Sequence, residues 1–164
     1  MLADLRSLIA YLEQRGKIKH VTKEVDPDFE LAAIVRSGRG KQPFWFERIK
    51  GYAVPMVAGL GGDRELLAES MGIRERELVP HLIDAIVRPL PTRLVETAPV
   101  HENVITRNIR LDELFPICRY HREDSGRYLV AGVLVVKEPG GSRRYTSIRR
   151  MQFLGGNRMN VLIS

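Results

Sequence analysis

The sequence predicts an α+β fold, and two observations carry this prediction. In residues 1–106, amphipathic helical patterns alternate with short apolar strands, which is typical of an α/β layer structure. In residues 107–164, three strand-like runs are separated by glycine-containing turns, which predicts antiparallel strands in a meander. We therefore expect an N-terminal α/β domain over 1–106 and a β-rich domain over 107–164.

The helices of the first domain are indicated by apolar spacing and by capping residues. Residues 4–15 have apolar side chains at helical spacing, with Asp4 as N-cap and Gly16 as the stop. Three further helices are expected, and they cover residues 28–36, 63–71 and 74–88, the last with Pro80 near its first turn.

Short strands connect these helices. The apolar pattern predicts strands at residues 17–25, 44–49 and 54–58, and extended segments at 93–100 and 104–109. Gly61 and Gly62 precede a helix without the spacing of a phosphate-binding loop. We therefore interpret them as a turn before an N-cap at Asp63.

The β-rich domain consists of strands predicted at Tyr128–Lys137, Arg144–Leu154 and Arg158–Ile163. An apolar sheet of three strands needs further strands or a cover, because a bare edge pairs with other chains. We expect the domain to be completed by residues beyond this sequence, by a partner chain or by a second copy.

The charge is distributed unevenly. Residues 1–106 contain 15 Lys and Arg against 15 Asp and Glu, whereas residues 107–164 contain 11 against 5, which is the whole net charge of +6. A local excess of this kind indicates an anionic partner, namely nucleic acid, a phosphorylated small molecule or an acidic protein, or else a solvated basic face. No aromatic platform or zinc spacing supports nucleic acid. With no signal peptide and no membrane-length apolar run, we expect a cytoplasmic protein without a membrane partner.

Cysteine and histidine give no independent catalytic motif. Cys118 is the only cysteine and is interpreted as a small buried residue beside Pro116 and Ile117. His121, Glu123 and Asp124 match no common metal-ligand spacing, so a polar turn is favoured.

Several motifs resemble one family. They are Asp4-Leu-Arg, Glu13-Gln-Arg-Gly, Glu24-Val-Asp-Pro-Asp, Phe46-Glu47, Gly51-Tyr52 and Arg64-Glu65 and, more specifically, Asp112-Glu-Leu-Phe-Pro-Ile, Asp124-Ser-Gly-Arg-Tyr and Ser147-Ile-Arg-Arg-Met-Gln. Together they resemble the UbiD family of prenylated-FMN-dependent decarboxylases. The resemblance implies that residues 107–164 are the opening strands of an incomplete, FMN-binding split β-barrel.

The resemblance also implies site residues. Arg150 matches the arginine that faces the substrate carboxylate, as suits a planar guanidinium with paired donors. The implied flavin contacts are Ser147, Ile148, Arg149, Arg150, Leu162, Ile163 and Ser164. The family's asparagine ligand for a divalent metal, commonly manganese, corresponds to Tyr145, and a phenol is a poorer ligand for a hard cation than an amide oxygen.

The implied function is reversible decarboxylation of an aromatic or α,β-unsaturated carboxylic acid with prenylated FMN. The implied partners are that substrate, a flavin prenyltransferase, a second chain or C-terminal part, and further copies in a homo-oligomer. The family's other metal ligands and its proton-donating acid fall beyond residue 164, so we expect the chain alone to be inactive. A non-catalytic short subunit, or a flavin- or anion-binding module, is the alternative.

Overall fold

The computed structural model describes residues 2, 4–91, 93–141 and 144–163, and it has the expected α+β fold. Its helices are α1 (Leu5–Gln14), α2 (Glu30–Ser37), α3 (Arg64–Met71), α4 (Leu78–Val87) and α5 (Leu111–Leu114), with 3-10 turns at Glu75–Glu77 and Pro99–His101. Its strands are β1 (Lys19–Val21), β2 (Phe44–Phe46), β3 (Met56–Ala58), β4 (Tyr128–Lys137), β5 (Arg144–Gly155) and β6 (Arg158–Val161). They form two sheets, ordered β1-β2-β3 and β4-β5-β6.

The chain divides into two compact units, each assembled from separate segments. The first contains residues 1–21, 35–45 and 57–107, and the second contains 22–34, 46–56 and 108–164. Two segments from the first third of the chain thus belong with the β-rich part. A domain boundary at 106/107 stays a prediction.

The helices follow the predicted caps closely. Asp4 accepts a hydrogen bond from the Ser7 backbone N–H at 2.8 Å, and Ser7 completes the capping box of α1. Asp63 caps α3 through the N–H groups of Glu65 and Leu66, and Gly72 ends that helix in the left-handed conformation. Helix α5 was not expected from the sequence pattern.

The first three strands are shorter than predicted. The expected strand over 17–25 is reduced to β1, because Val25 instead pairs in parallel with Ile49. The strand expected over 44–49 ends at Phe46, since Ile49 also pairs with Tyr52 across a tight turn. The strand expected over 54–58 begins only after Pro55, which has no N–H to donate to a neighbour. Within the described part of residues 93–109, the structure contains no strand.

In the first unit, the core lies between α1, the residue that precedes β1, and α3. Leu12, Ile18 and Leu66 are buried there. Partly buried hydrophobic side chains pack around them, namely Leu8, Tyr11, Trp45, Val57 and Leu60. At the edge of this core, the Glu69 carboxylate accepts hydrogen bonds from Lys17 Nζ at 3.0 Å and from the Tyr11 hydroxyl at 3.1 Å.

In the second unit, β4, β5 and β6 form the predicted antiparallel meander. Backbone bridges extend it, because Cys118 pairs with Tyr128 and Asp28 pairs with Arg119. The buried side chains of this unit are Val25, Leu31, Phe46, Ile49, Ile117, Cys118 and Tyr128. The split barrel itself stays a prediction.

Much apolar surface is exposed. On α4, Ile83 and Ile86 are 56% and 79% exposed. Across the described residues, no helix has both the length and the apolar content needed to cross a membrane.

Candidate functional site

The candidate site lies on one face of the β4-β5-β6 sheet. Directly paired residues share a face, and alternate residues along a strand return to it. The pairs Tyr128 with Gln152 and Gln152 with Asn160 therefore define one face, which also carries Ile148 and Arg150. We call this face the site face.

A β-bulge lies opposite Arg150. Leu129 pairs with Met151 and Gly132 pairs with Arg149, so Val130 and Ala131 together oppose Arg150. A bulge of this kind inserts one extra residue, bends its strand and re-aims nearby side chains. It therefore interrupts the ladder at the residue that the motif indicates for carboxylate binding.

Arg150 lies over an aromatic ring. Its guanidinium carbon is 4.5 Å from the centroid of the Tyr128 ring, which is the geometry of a cation–π contact. The Tyr128 hydroxyl and Ser125 Oγ are 2.7 Å apart, and Gln152 Nε2 donates to Ser125 Oγ at 3.0 Å. The ring is buried, with 9% of the residue exposed.

A cavity of about 320 Å³ opens beside this contact. Its lining residues are Tyr128, Arg149, Arg150, Gln152, Asn160 and Leu162. Within the described part of the chain, Arg150 forms no ion pair with a carboxylate, so its N–H donors are available to a ligand. The cavity lining therefore combines two arginines, two residues with carboxamide side chains, a tyrosine and a leucine.

Three other arginines of the second unit contact protein groups. Arg127 is paired with Asp28 at 2.8 Å, and Arg110 with Asp112 at 3.3 Å. Arg119 donates to the backbone carbonyls of Arg122 and Asp124. These contacts separate Arg150 from a general basic surface.

The structure distributes the predicted site residues over two faces. Ile148 lies on the site face and is 74% exposed, whereas Ser147 and Arg149 alternate to the opposite face. Arg149 Nε donates to Ser147 Oγ at 3.1 Å, although Arg149 also contributes to the cavity lining. Leu162 and Ile163 follow β6 and are exposed, and Ser164 lies outside the described residues.

Tyr145 lies on the same face as Ser147 and pairs with Val136 in β4. Among the described residues, no group of three or more His, Cys, Asp and Glu side chains is arranged to hold a metal ion. A lone phenol does not make a site for a hard divalent cation. The residues of this chain therefore do not by themselves fit the family's metal.

The residues fit a flavin better. Exposed apolar side chains on the site face, Val133, Val135, Ile148 and Leu162, form an open surface that suits a flat ring. Arginine side chains adjoin it, as phosphate and carboxylate groups require. Tyr128 and Gln152 end two of the family motifs, but the sequence assigned no role to them or to Asn160, and the strand register brings all three beside Arg150.

A second cavity, of about 420 Å³, lies among charged residues of the same unit. Lys50 Nζ is 3.0 Å from Asp26 Oδ2, and Arg127 is paired with Asp28. The Asp28 N–H donates to Asp26, which together with Lys50 lowers the pKa of the Asp26 carboxyl. Because its charges neutralise one another, this cavity is a weaker candidate for binding an anion.

Comparison with known proteins places the chain in a family. The family model described as the 3-octaprenyl-4-hydroxybenzoate carboxy-lyase N-terminal domain matches residues 9–86. The model of the Rift-related domain of the same carboxy-lyase matches residues 93–164. The two matches cover most of the chain.

Curated relatives include an uncharacterised protein of Rhodospirillum rubrum, 35% identical over 99% of this chain and 36% of its own length. A phenolic acid decarboxylase of Sedimentibacter hydroxybenzoicus is 31% identical over 83% of this chain and 31% of its own length. The chain thus spans about a third of the length of these relatives.

Solved structures agree in fold. The UbiD-class enzyme HmfF from Pelotomaculum thermopropionicum, in an evolved dimeric form with prFMN, is 44% identical and superposes with a TM-score of 0.92 over 98% of this chain and 38% of its own. The vanillic acid decarboxylase of Sedimentibacter hydroxybenzoicus is 27% identical, with a TM-score of 0.87 over 98% and 38%. With both family models matched along its length, the chain belongs to the UbiD family of carboxy-lyases.

Proposed function

We propose that this chain is the carboxylate-holding part of a UbiD-type decarboxylase that acts on an aromatic or α,β-unsaturated acid with prenylated FMN. The observation that carries the proposal is the Arg150 guanidinium, which lies without a carboxylate partner among the described residues in the cavity of the site face. One curated relative is a phenolic acid decarboxylase, one solved neighbour is a vanillic acid decarboxylase, and another solved neighbour was determined in complex with prFMN.

Arg150 has one task in this proposal. Its planar fork donates two parallel hydrogen bonds to a carboxylate and so fixes both the position and the plane of the acid. Gln152 and Asn160 line the same cavity and are placed to contact the remaining polar groups of the substrate. The apolar residues of the site face would bind the flavin ring and exclude water from it.

The prenylated flavin, when bound, supplies the electron sink that decarboxylation needs. Ser147, Ile148, Arg149, Leu162, Ile163 and Ser164 are the residues of this chain that we propose would hold it. We assign no step to a metal at Tyr145 and no proton donor to this chain. Activity therefore requires further residues, in the same polypeptide or in a second chain, and the cytoplasmic location stays a prediction.

Carboxylate binding tests the role of Arg150 directly. Sodium benzoate is titrated into the chain, and binding is followed by the chemical shifts of arginine Nε–Hε groups. Hydrogen bonds to charged groups contribute about 1.5–3 kcal/mol, so R150A should weaken binding by about ten- to a hundredfold. R144A, a matched change at an exposed arginine near the start of β5, should leave binding unchanged. Equal effects of R150A and R144A would contradict the proposal.

Cofactor binding is tested by co-expression with a flavin prenyltransferase. The purified protein is examined by absorbance and by mass spectrometry for prenylated FMN. We expect I148D to lower flavin retention, because a carboxylate replaces an apolar side chain that is exposed on the site face. If neither the 164-residue chain nor a version extended to the length of its relatives retains flavin, the cofactor proposal is wrong.

A non-catalytic anion-binding subunit is the second candidate, and Tyr145 at the family's asparagine position favours it. The Y145N variant separates the two. A gain of Mn²⁺ and flavin binding in Y145N over the wild type, measured by isothermal titration, would favour the binding subunit. Flavin retention by the wild type at the level of Y145N would favour the decarboxylase.

A further inference from the structure

We propose that Tyr128 is a positioning residue that holds the Arg150 guanidinium ready for a carboxylate, with Ser125 and Gln152 fixing the tyrosine in place. The carboxylate part of this inference rests on the proposed function. The family motif through Ser147-Ile-Arg-Arg-Met-Gln contains Arg150 but not the ring beneath it, which belongs to another strand.

The Tyr128 side chain is held in place through its backbone and through its hydroxyl. Tyr128 is the first residue of β4, and its N–H donates to the Cys118 carbonyl at 2.9 Å. The Tyr128 hydroxyl oxygen lies 2.7 Å from Ser125 Oγ, and Gln152 Nε2 donates to Ser125 Oγ at 3.0 Å. The tyrosine is therefore fixed at both ends, at its backbone and at its hydroxyl.

The contact with Tyr128 leaves the hydrogen-bond donors of Arg150 free to meet a ligand. A carboxylate partner would hold the guanidinium by occupying its in-plane N–H groups. The face of an aromatic ring attracts the same cation through its quadrupole and leaves the in-plane donors uncovered. Tyr128 thus orders Arg150, whose guanidinium carbon is 4.5 Å from the ring centroid, and keeps its donors for the ligand.

The bulge in the neighbouring strand, β4, determines which residues share the site face with Arg150. The bulge places Val130 and Ala131 opposite Arg150, where a regular ladder would place one residue. Without it, the residues of β4 beyond Val130 would exchange faces. The bulge therefore allows Tyr128 and Val133 to share the site face with Arg150, although their spacing is odd.

Nuclear magnetic resonance tests the inference without flavin or activity. A guanidinium over a ring face has its Hε resonance displaced upfield, and R150K identifies the signal by its disappearance. We expect the displacement in the wild type, its partial reduction in Y128F, which keeps the ring but loses the hydroxyl contact with Ser125, and its loss in Y128L. Cation–π contacts of about 0.5–2 kcal/mol correspond to about two- to thirtyfold weaker benzoate binding in Y128L.

Tyr11 provides a matched control, because the Arg15 guanidinium carbon lies 4.6 Å from its ring centroid in the first unit. Y11L should abolish the upfield displacement of the Arg15 signal and leave both the Arg150 signal and benzoate binding unchanged. A merely structural role for Tyr128 would lower the melting temperature of Y128L without moving the Arg150 resonance, and that result would overturn the inference.

The outcomes separate this inference from the proposed function. If the Arg150 signal is displaced but benzoate does not shift it, the result supports the positioning role of Tyr128 and contradicts carboxylate binding. If R150A loses benzoate binding but the wild type shows no displaced Arg150 signal, the result overturns the positioning role of Tyr128 and supports carboxylate binding. If Y128L does not fold, the wild-type signal decides the question, and S125A, which releases the tyrosine hydroxyl, should reduce the displacement partly.

Discussion

The Cys118 thiol illustrates how burial decides the chemistry of a single residue. Cys118 is 1% exposed, and its Sγ is 3.8 Å from Met56 Sδ. Burial raises the pKa of the thiol to about 11, although a hydrogen bond with Tyr120 acts in the opposite direction. A nucleophilic cysteine needs the thiolate, so Cys118 is unsuited to catalysis at neutral pH.

We therefore expect Cys118 to be protected from thiol reagents in the folded chain. At pH 8, 5,5′-dithiobis(2-nitrobenzoic acid) should release its chromophore only slowly, and one equivalent should react at once in guanidinium chloride. Fast reaction of the folded protein would contradict this assignment. C118S provides the blank.

Gly62 and Gly61 provide a matched pair of residues. A Cβ atom on Gly62 would overlap the backbone carbonyl of Gly40, whereas one on Gly61 would meet nothing within 4 Å. The backbone of residues 38–41 must move to admit even a methyl group at Gly62. The glycine pair is thus a site of close backbone approach in the first unit.

G62A should accordingly lower the free energy of unfolding by about 1–3 kcal/mol, the usual cost of overpacking. G61A should change it by much less. Urea unfolding followed by the fluorescence of Trp45, which packs on the core of this unit, measures both. Equal stability of the two variants would show that the loop yields without cost.

At the scale of elements, α1 and α3 are joined by the contacts of Glu69. Hydrogen bonding to Lys17, and then to Tyr11, lowers the pKa of the Glu69 carboxyl, while the same contact raises the pKa of Lys17. A carboxyl whose pKa is lowered by folding stabilises the fold at pH values above its unfolded pKa, which is 4.5 for Glu69. That contribution is lost as pH falls through the folded pKa.

We predict that E69Q lowers the melting temperature at pH 7 and that the difference from the wild type disappears on acidification below pH 4.5. The effect should be modest, because the Lys17 side chain is 38% exposed. Differential scanning calorimetry from pH 3 to pH 7 measures it. A difference between E69Q and the wild type that does not shrink as pH falls below 4.5 would exclude ionisation of Glu69 as the cause.

The elements also show why prediction from sequence succeeded in part. Helices α1 and α3 carry their caps, Asp4 and Asp63, in the sequence, so local chemistry was sufficient. The lengths of β1 and β2 depend on the pairing of Val25 with Ile49, which no local pattern contains. The meander β4-β5-β6 was predictable because long apolar runs are divided by glycine turns.

The candidate site could likewise be predicted from the sequence only in part. Arg150 was indicated by a contiguous motif, whereas Tyr128, Gln152 and Asn160 depend on the register of three strands. That register changes at the bulge of Val130 and Ala131, and the adjacent Gly132 does not by itself distinguish a bulge from a regular strand. Side chains from separate strands could be assigned to one cavity only after the pairing was known.

At the scale of the whole molecule, many exposed apolar side chains lie on α4, in the segment 90–105 and on the site face. Ile86, Val133 and Ile148 are 79%, 62% and 74% exposed. Exposed apolar patches of this kind mark surfaces for association. The homo-oligomer expected from the family stays a prediction, and these surfaces support it.

We expect the 164-residue chain to self-associate with increasing concentration, as sedimentation velocity would measure. I83S/I86S on α4 and V133T/V135T on the site face should each reduce association if their surface is involved. An unchanged monomer over the micromolar range in the wild type would contradict the prediction.

The pairing of Asp28 with Arg119 and Arg127 has a consequence for synthesis on the ribosome. Asp28 and Arg127 are 99 residues apart in sequence, and translation adds about 5–20 residues per second. The segment 22–34 must therefore wait about 5–20 s after it is made before Arg127 is added. During that interval Asp28 has neither its backbone bridge with Arg119 nor its ion pair with Arg127, so this part of the second unit is completed only late in synthesis.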